Sequence, residues 1–211
     1  KLPKFYADFN KSGGRSAADD VKAEINKLKS EKVDGIVLDL RGNGGGSLRD
    51  AIEMTGHFIE QGPVVQVKGR YTPAEIMKDN DRSVEYDGPL VVMLNQFSAS
   101  ASEILAAAIQ DYDRGIILGS ASSFGKGTVQ RFFELDRYLT ASSSQYRPLG
   151  AVKITTQKFY RINGDATQLK GVESDIIVPT KYAYFDMGEK EQEFVMPWDE
   201  IKAVEHSKWI P

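Results

Sequence analysis

Apolar and polar positions follow two rhythms along this chain. Across residues 16–31, Val21, Ile25 and Leu28 recur at helical spacing among charged residues, which predicts an amphipathic helix. Ser16 and Asp19 open it as a capping box with Asp in place of Glu. Gly35-Ile-Val-Leu-Asp-Leu40 and Pro89-Leu-Val-Val-Met-Leu94 are near-continuous apolar runs, the pattern of strands covered on both faces. The helical rhythm returns at 47–59, capped by Ser47, and at 99–112, which is rich in alanine. Further strands are expected at 64–67, 115–118, 127–135, 151–161 and 176–178, and a terminal helix at 197–206. Residues 71–87 are polar without a steady period and read as an excursion. Residues 136–150, serine-rich and aperiodic, read as a mobile loop. The alternation of strand and helix predicts an α/β fold with several parallel pairs.

Composition narrows the chemistry. With 211 residues, 41% of them hydrophobic, the chain can bury a sizeable core. A net charge of −3 argues against a general nucleic-acid binder, which needs a basic surface. The absence of cysteine removes thiol catalysis, disulfides and thiolate metal sites. With His57 and His206 as the two histidines, a zinc site is not expected, nor is any cofactor. No apolar run approaches the ~20 residues that span a bilayer. The chain opens on Lys1 with no signal peptide, and it reads as a single domain over 1–211 cut from a longer precursor.

The candidate chemistry lies in two stretches. In Phe97-Ser-Ala-Ser-Ala-Ser-Glu-Ile104, serines alternate at 98, 100 and 102 at the mouth of the third helix. Ser100 with Glu103 is an S-x-x-E capping box, so Ser100 could simply satisfy free amides. The same position favours negative charge, through the helix dipole and unpaired N–H groups, and suits a nucleophile beside an oxyanion site. Periodicity does not choose among the three serines. In Phe124-Gly-Lys-Gly-Thr-Val-Gln130, Lys126 has glycine on both sides. It is either a surface lysine in a turn or a buried general base. The second role requires its pKa to fall from ~10.4 to ~7–8 through desolvation. Gln130 offers a neutral amide four residues on, and an acid there would raise the pKa and spoil the base. Glycines at 125 and 127 would let the backbone pass close to the serine.

Rival motifs fail on local grounds. Ser123-Phe-Gly-Lys126 has S-x-x-K spacing, but its glycines oppose the helical turn that motif needs. A phosphate-binding loop at Gly125-Lys126 lacks its first glycine, where Ser120 stands, and its Ser/Thr, where Gly127 stands. Gly42-Asn-Gly-Gly-Gly-Ser47 misses the dinucleotide fingerprint at its last residue. His57, expected mid-helix, reads as a packing residue. Asp111, eleven residues past Ser100 on one helix, would lie ~16 Å away and reads as structural.

These stretches, with Gly35-Ile-Val-Leu-Asp-Leu-Arg-Gly-Asn-Gly-Gly-Gly46, Gln157-Lys-Phe-Tyr-Arg161, Lys170-Gly-Val172 and Asp175-Ile-Ile-Val-Pro179, resemble the tail-specific, or C-terminal-processing, serine peptidases in motif order. Pro3-Lys-Phe-Tyr6 and Pro197-Trp-Asp199 are similar to the long periplasmic bacterial branch. The resemblance implies an α/β fold of the crotonase/Clp-protease type, a spiral of β-β-α units. It implies a Ser-Lys endopeptidase that cuts proteins near apolar C-termini, in the periplasm or cell envelope, and leaves membrane association of the parent open. By it, Ser100 is the nucleophile, Lys126 the base and Gln130 its support, with oxyanion donors at the amides of Ala101 and Gly45. It also implies a PDZ domain N-terminal to this region. The approach to Lys126, Gly119-Ser-Ala-Ser-Ser-Phe124, is one residue longer than the family pattern and lacks its acid, and Ser174 stands where a proline often precedes Asp175. The longer loop motivates the alternative of a non-catalytic peptide-binding module of the same fold. A crotonase-like acyl-CoA enzyme is a third reading.

Overall fold

The computed structural model describes residues 1–8 and 14–210. In chain order the elements are α1 (Ala17–Ser30), β1 (Ile36–Asp39), α2 (Leu48–Gly56), β2 (Gly62–Gly69), β3 (Glu75–Asp79), β4 (Leu90–Leu94), α3 (Ala101–Asp111), β5 (Ile116–Gly119), β6 (Thr128–Glu134), β7 (Ala151–Tyr160) and β8 (Ile176–Ile177). One sheet, ordered β1-β4-β5-β8, is parallel throughout. The other, ordered β3-β2-β7-β6, is antiparallel. This is the expected α/β fold, with one parallel and one antiparallel sheet. Among the described residues no helix is long and apolar enough to cross a membrane.

Local chemistry fixes the helix starts. The Ser16 side chain accepts from the Asp19 amide at 3.1 Å, and the Ser47 side chain from the Asp50 amide at 3.2 Å. Asp19 and Asp20 in the first turn of α1, with Lys27 and Lys29 in its last, complement the helix dipole. α3 is buried from Ala101 to Ile109. Its alanines let α2, β2 and β5 pack closely around it. Leu105 of α3 shares one buried core with Phe5, Leu40, Met54, Phe58 and Ile117.

Several expectations are corrected. β1 is an edge strand, and Val37 is 58% exposed, so this run is not covered on both faces. α2 ends at Gly56, which puts His57 at its C-cap rather than mid-helix. The polar excursion contains β3, an exposed edge strand that has no apolar face to reveal it. Residues 136–150 do form a loop as expected, one that carries two 3-10 turns, Leu135–Tyr138 and Ala141–Tyr146, with Asp136 Oδ1 accepting from the Leu149 amide at 2.7 Å. No helix forms at 197–206. Instead the segment runs as a strap: the amides of Ile201, Val204 and Trp209 donate to Gly164, Ile162 and Tyr112, so tertiary partners displace i→i+4 bonds. β7 is exposed over 151–155 and buried from Lys158 to Tyr160, so its ends sit in different surroundings.

Candidate active site

The three serines have different fates. The Ser98 hydroxyl donates to the Leu40 carbonyl at 2.9 Å, and the Ser102 hydroxyl to the Asn43 carbonyl at 2.9 Å; both residues are fully buried. They tie the start of α3 to the end of β1 and its glycine loop. Ser100 lies between them at the N-cap, half-buried, with φ 58° and ψ −113°. That backbone is costly for a residue with a Cβ, and such strain gathers at functional sites. The capping box is present in outline, yet the serine side chain accepts no cap hydrogen bond. The Glu103 amide donates instead to the Ser100 carbonyl at 2.8 Å.

The loop after β1 presses against this turn. A Cβ on Gly45 would lie 2.7 Å from the Ala99 carbonyl, 2.8 Å from Ser100 Cβ and 2.9 Å from the Ala101 amide nitrogen. Gly45 has φ +97°, so glycine is required both for conformation and for space. Its amide donates to Asn43 Oδ1 at 2.9 Å. Among the described residues the amides of Gly44, Gly46 and Ala101 make no hydrogen bond, and these three residues line the cleft beside Ser100.

Ser100, Lys126 and Gln130 line that one cleft, of about 390 Å³, with Leu48, Ile104 and Phe159 as apolar wall. Lys126 Nζ donates to Gln130 Oε1 at 3.2 Å and makes no hydrogen bond to Ser100 in this conformation. Burial holds the Lys126 amine below the ordinary lysine range, and the positive charge of Lys153 pushes the same way. Glu189 and Glu103 pull upward. The flanking glycines are closely packed on their other side: a Cβ on Gly127 would meet Gln168 at 2.6 Å, and one on Gly125 would meet Leu169 at 3.0 Å.

Glu103 joins the two halves of the site. It is fully buried. Its Oε2 accepts from the Ser100 amide at 2.7 Å and the Lys126 amide at 3.0 Å; its Oε1 accepts from Ser123 Oγ at 2.6 Å and the Gly125 amide at 2.7 Å. Burial pushes its carboxyl up to about 7, against the pull of these four donors. The sequence pattern identified only its capping role. The serine-rich loop before Lys126, one residue longer than the family pattern, is held firmly. The Phe124 amide donates to the Ser98 carbonyl at 2.9 Å, and Ser123 Oγ accepts from the Val172 amide at 2.8 Å.

The other titratable candidates lie elsewhere. His57 Nε2 is 3.0 Å from the Ala18 carbonyl, and burial lowers its pKa. His206 packs on Tyr112. Asp111 takes a forked bond from Arg161, joining the end of α3 to the residue after β7. Among the described residues there is no cluster of acids and histidines able to hold a metal.

Comparison with known proteins gives consistent results. The profile of Peptidase family S41 matches residues 1–178. A tail-specific protease of Haemophilus influenzae is 43% identical over 206 residues, 98% of this chain and 28% of that protein. A carboxy-terminal-processing protease of Bartonella bacilliformis is 36% identical over 184 residues, 82% of this chain and 39% of that protein. Among solved structures, the photosystem II D1 C-terminal processing protease superposes with a TM-score of 0.68 at 27% identity, covering 83% of this chain and 40% of that one. Mature CPAF shares the fold with a TM-score of 0.65 at 13% identity, over 84% of this chain and 46% of that one. The chain thus spans less than half the length of these relatives.

Proposed function

The chain belongs to peptidase family S41, and on that footing we propose that it is the core of a serine endopeptidase working through a Ser100–Lys126 dyad. The observation that carries this reading is the company Ser100 keeps. Its two neighbouring serines spend their hydroxyls on backbone carbonyls, while its own side chain enters a cleft that also holds a half-buried, depressed-pKa lysine.

In the proposed mechanism, neutral Lys126 takes the Ser100 proton as Oγ attacks the scissile carbonyl carbon. The carbonyl oxygen gains the electron pair and is met by the Ala101 amide and the glycine loop. Gly45 was the expected loop donor; its N–H would have to leave Asn43 to serve, whereas those of Gly44 and Gly46 are unpaired and line the cleft. Collapse of the intermediate breaks the C–N bond, and the Lys126 ammonium returns the proton to the leaving amine. Water, activated by the same lysine, then releases the acyl group and regenerates Ser100. Gln130 steers the amine as a neutral acceptor. The apolar wall of Leu48, Ile104 and Phe159 suits protein substrates cut near apolar C-terminal tails. We place the whole protein in the periplasm or cell envelope, with a PDZ domain N-terminal to a single peptidase core over 1–211.

The test is Ser100→Ala and Lys126→Ala in the full-length protein, against an unstructured apolar-tailed substrate. Each is expected to abolish cleavage with folding intact. Activity retained by Ser100→Ala but lost in Ser98→Ala or Ser102→Ala would overturn the assignment. The Lys126–Gln130 bond favours one other reading, a peptide-binding module without activity. Labelling of Ser100 by a fluorophosphonate would exclude it.

A further inference from the structure

Three lysines line the cleft beside Ser100, namely Lys4, Lys126 and Lys153, and no acidic side chain lines it with them. Lys153 stands on β7 directly opposite Phe132 of β6, its amine 5.7 Å from the centre of that ring. Phe132 and Gln130 are two apart on β6, so they share a face, and both line the cleft. Gln130 holds the Lys126 amine. A row therefore runs from the Lys126 amine to Gln130, Phe132 and Lys153, the last three on one face of the ladder.

From this row we propose that Lys153 is a positioning residue for the peptidase reaction: its fixed positive charge, held against Phe132 across the cleft, keeps Lys126 in the uncharged form that can act as base. The inference rests on the Ser100–Lys126 reading. Among the described residues Lys153 has no ion-pair partner, so its charge is not neutralised locally. The other charged groups facing Lys126 are Lys4 from the N-terminal segment, Glu103 from α3, and Glu189 from the 3-10 turn Glu189–Glu191. Both acids are engaged. Glu103 takes four donors, and Glu189 takes Gln168 Nε2 at 3.4 Å. Burial and Lys153 together outweigh them, since the amine lies below its usual range. A second cation beside a catalytic lysine is a recognised way to activate it.

The experiment follows the titration of Lys126 in the full-length protein in two ways: the acidic limb of kcat/KM against pH, and the ¹³Cε shift of Lys126 in the Ser100→Ala background, assigned with Lys126→Arg. Lys153→Met keeps an apolar stem on Phe132 and removes the charge. It is expected to move both titrations up by about 0.5 pH unit. Lys153→Glu should move them about twice as far, and Lys153→Arg should leave them in place. Added salt should raise the wild-type midpoint towards that of Lys153→Met and barely affect the variant. Midpoints indifferent to Lys153→Met and Lys153→Glu overturn the proposal for Lys153 alone. Full activity in Lys126→Ala overturns the dyad itself, and this inference with it.

Discussion

The backbone amides of Ser100 and Lys126 converge on a single atom, Oε2 of Glu103, at 2.7 and 3.0 Å. The turn that presents the serine and the loop that presents the lysine are therefore set relative to one another through a shared acceptor. No direct bond between the two side chains is needed to hold them in one cleft. The carboxyl group is suited to this, because each of its two oxygens can accept two donors.

Glu103→Gln puts an NH₂ group where two N–H or O–H donors now point. It is expected to cost about 2–4 kcal/mol of stability, through buried donors left unpaired. Activity should fall mainly in kcat, as the serine and lysine lose their common reference. Urea denaturation and steady-state kinetics check this, and a variant with wild-type stability and kcat would refute the shared-acceptor account.

The same carboxyl makes stability depend on pH. Its folded pKa of about 7 lies above the ordinary 4.5, so the folded chain holds a proton that the unfolded chain has released. Its contribution is complete below about pH 4.5 and is lost as pH rises through about 7, with a slope of at most about 1.4 kcal/mol per unit in between. The difference between wild type and Glu103→Gln, measured by urea unfolding from pH 4.5 to 8, should show this decline and then level off.

Gly45→Ala should disable the site even though it adds only one methyl group. The new carbon would overlap the Ala99 carbonyl, Ser100 Cβ and the Ala101 amide, at a φ that disfavours side chains. A stability loss of about 1–3 kcal/mol is expected, together with loss of fluorophosphonate labelling at Ser100. Gly42→Ala is the control. It shares a positive φ but has open space around its Cβ position, so it should lose some stability and keep labelling.

Gln130→Glu and Gln130→Ala separate steering from charge. The acid would give Lys126 a counter-ion in place of its neutral partner at 3.2 Å, raising the lysine pKa and shifting the acidic limb of kcat/KM to higher pH. The alanine variant should lower kcat with a much smaller shift. Equal profiles for the two would remove Gln130 from the mechanism.

Much of this was legible in the sequence because the signals are local. Ser16 and Ser47 cap helices as their spacing predicts, and the apolar runs at 35–40 and 89–94 become parallel partners. The clustering of Ser100, Lys126 and Gln130 followed from motif order. The unread parts depend on partners distant in the chain. β3 is held by pairing with β2 and hides in a polar stretch. The 197–206 segment carries helix-compatible residues, yet its amides find carbonyls at Gly164, Ile162 and Tyr112. Glu103 shows one role in the S-x-x-E pattern, and its reach to Ser123, Gly125 and Lys126 needs the third dimension. Lys153 has no local signature at all; only the β6–β7 register brings it to the cleft.

β7 behaves as a cantilever. Its root, Lys158 to Tyr160, is clamped in the interior, while its tip over 151–155 stands in solvent with β6 as its companion. Amide hydrogen exchange should therefore run as a gradient along a single strand, rapid at the tip and slow at the root. A peptide lying against the β6–β7 ladder would quiet the tip first, so substrate arrival should be recorded as local stiffening at the Lys153 end of the cleft.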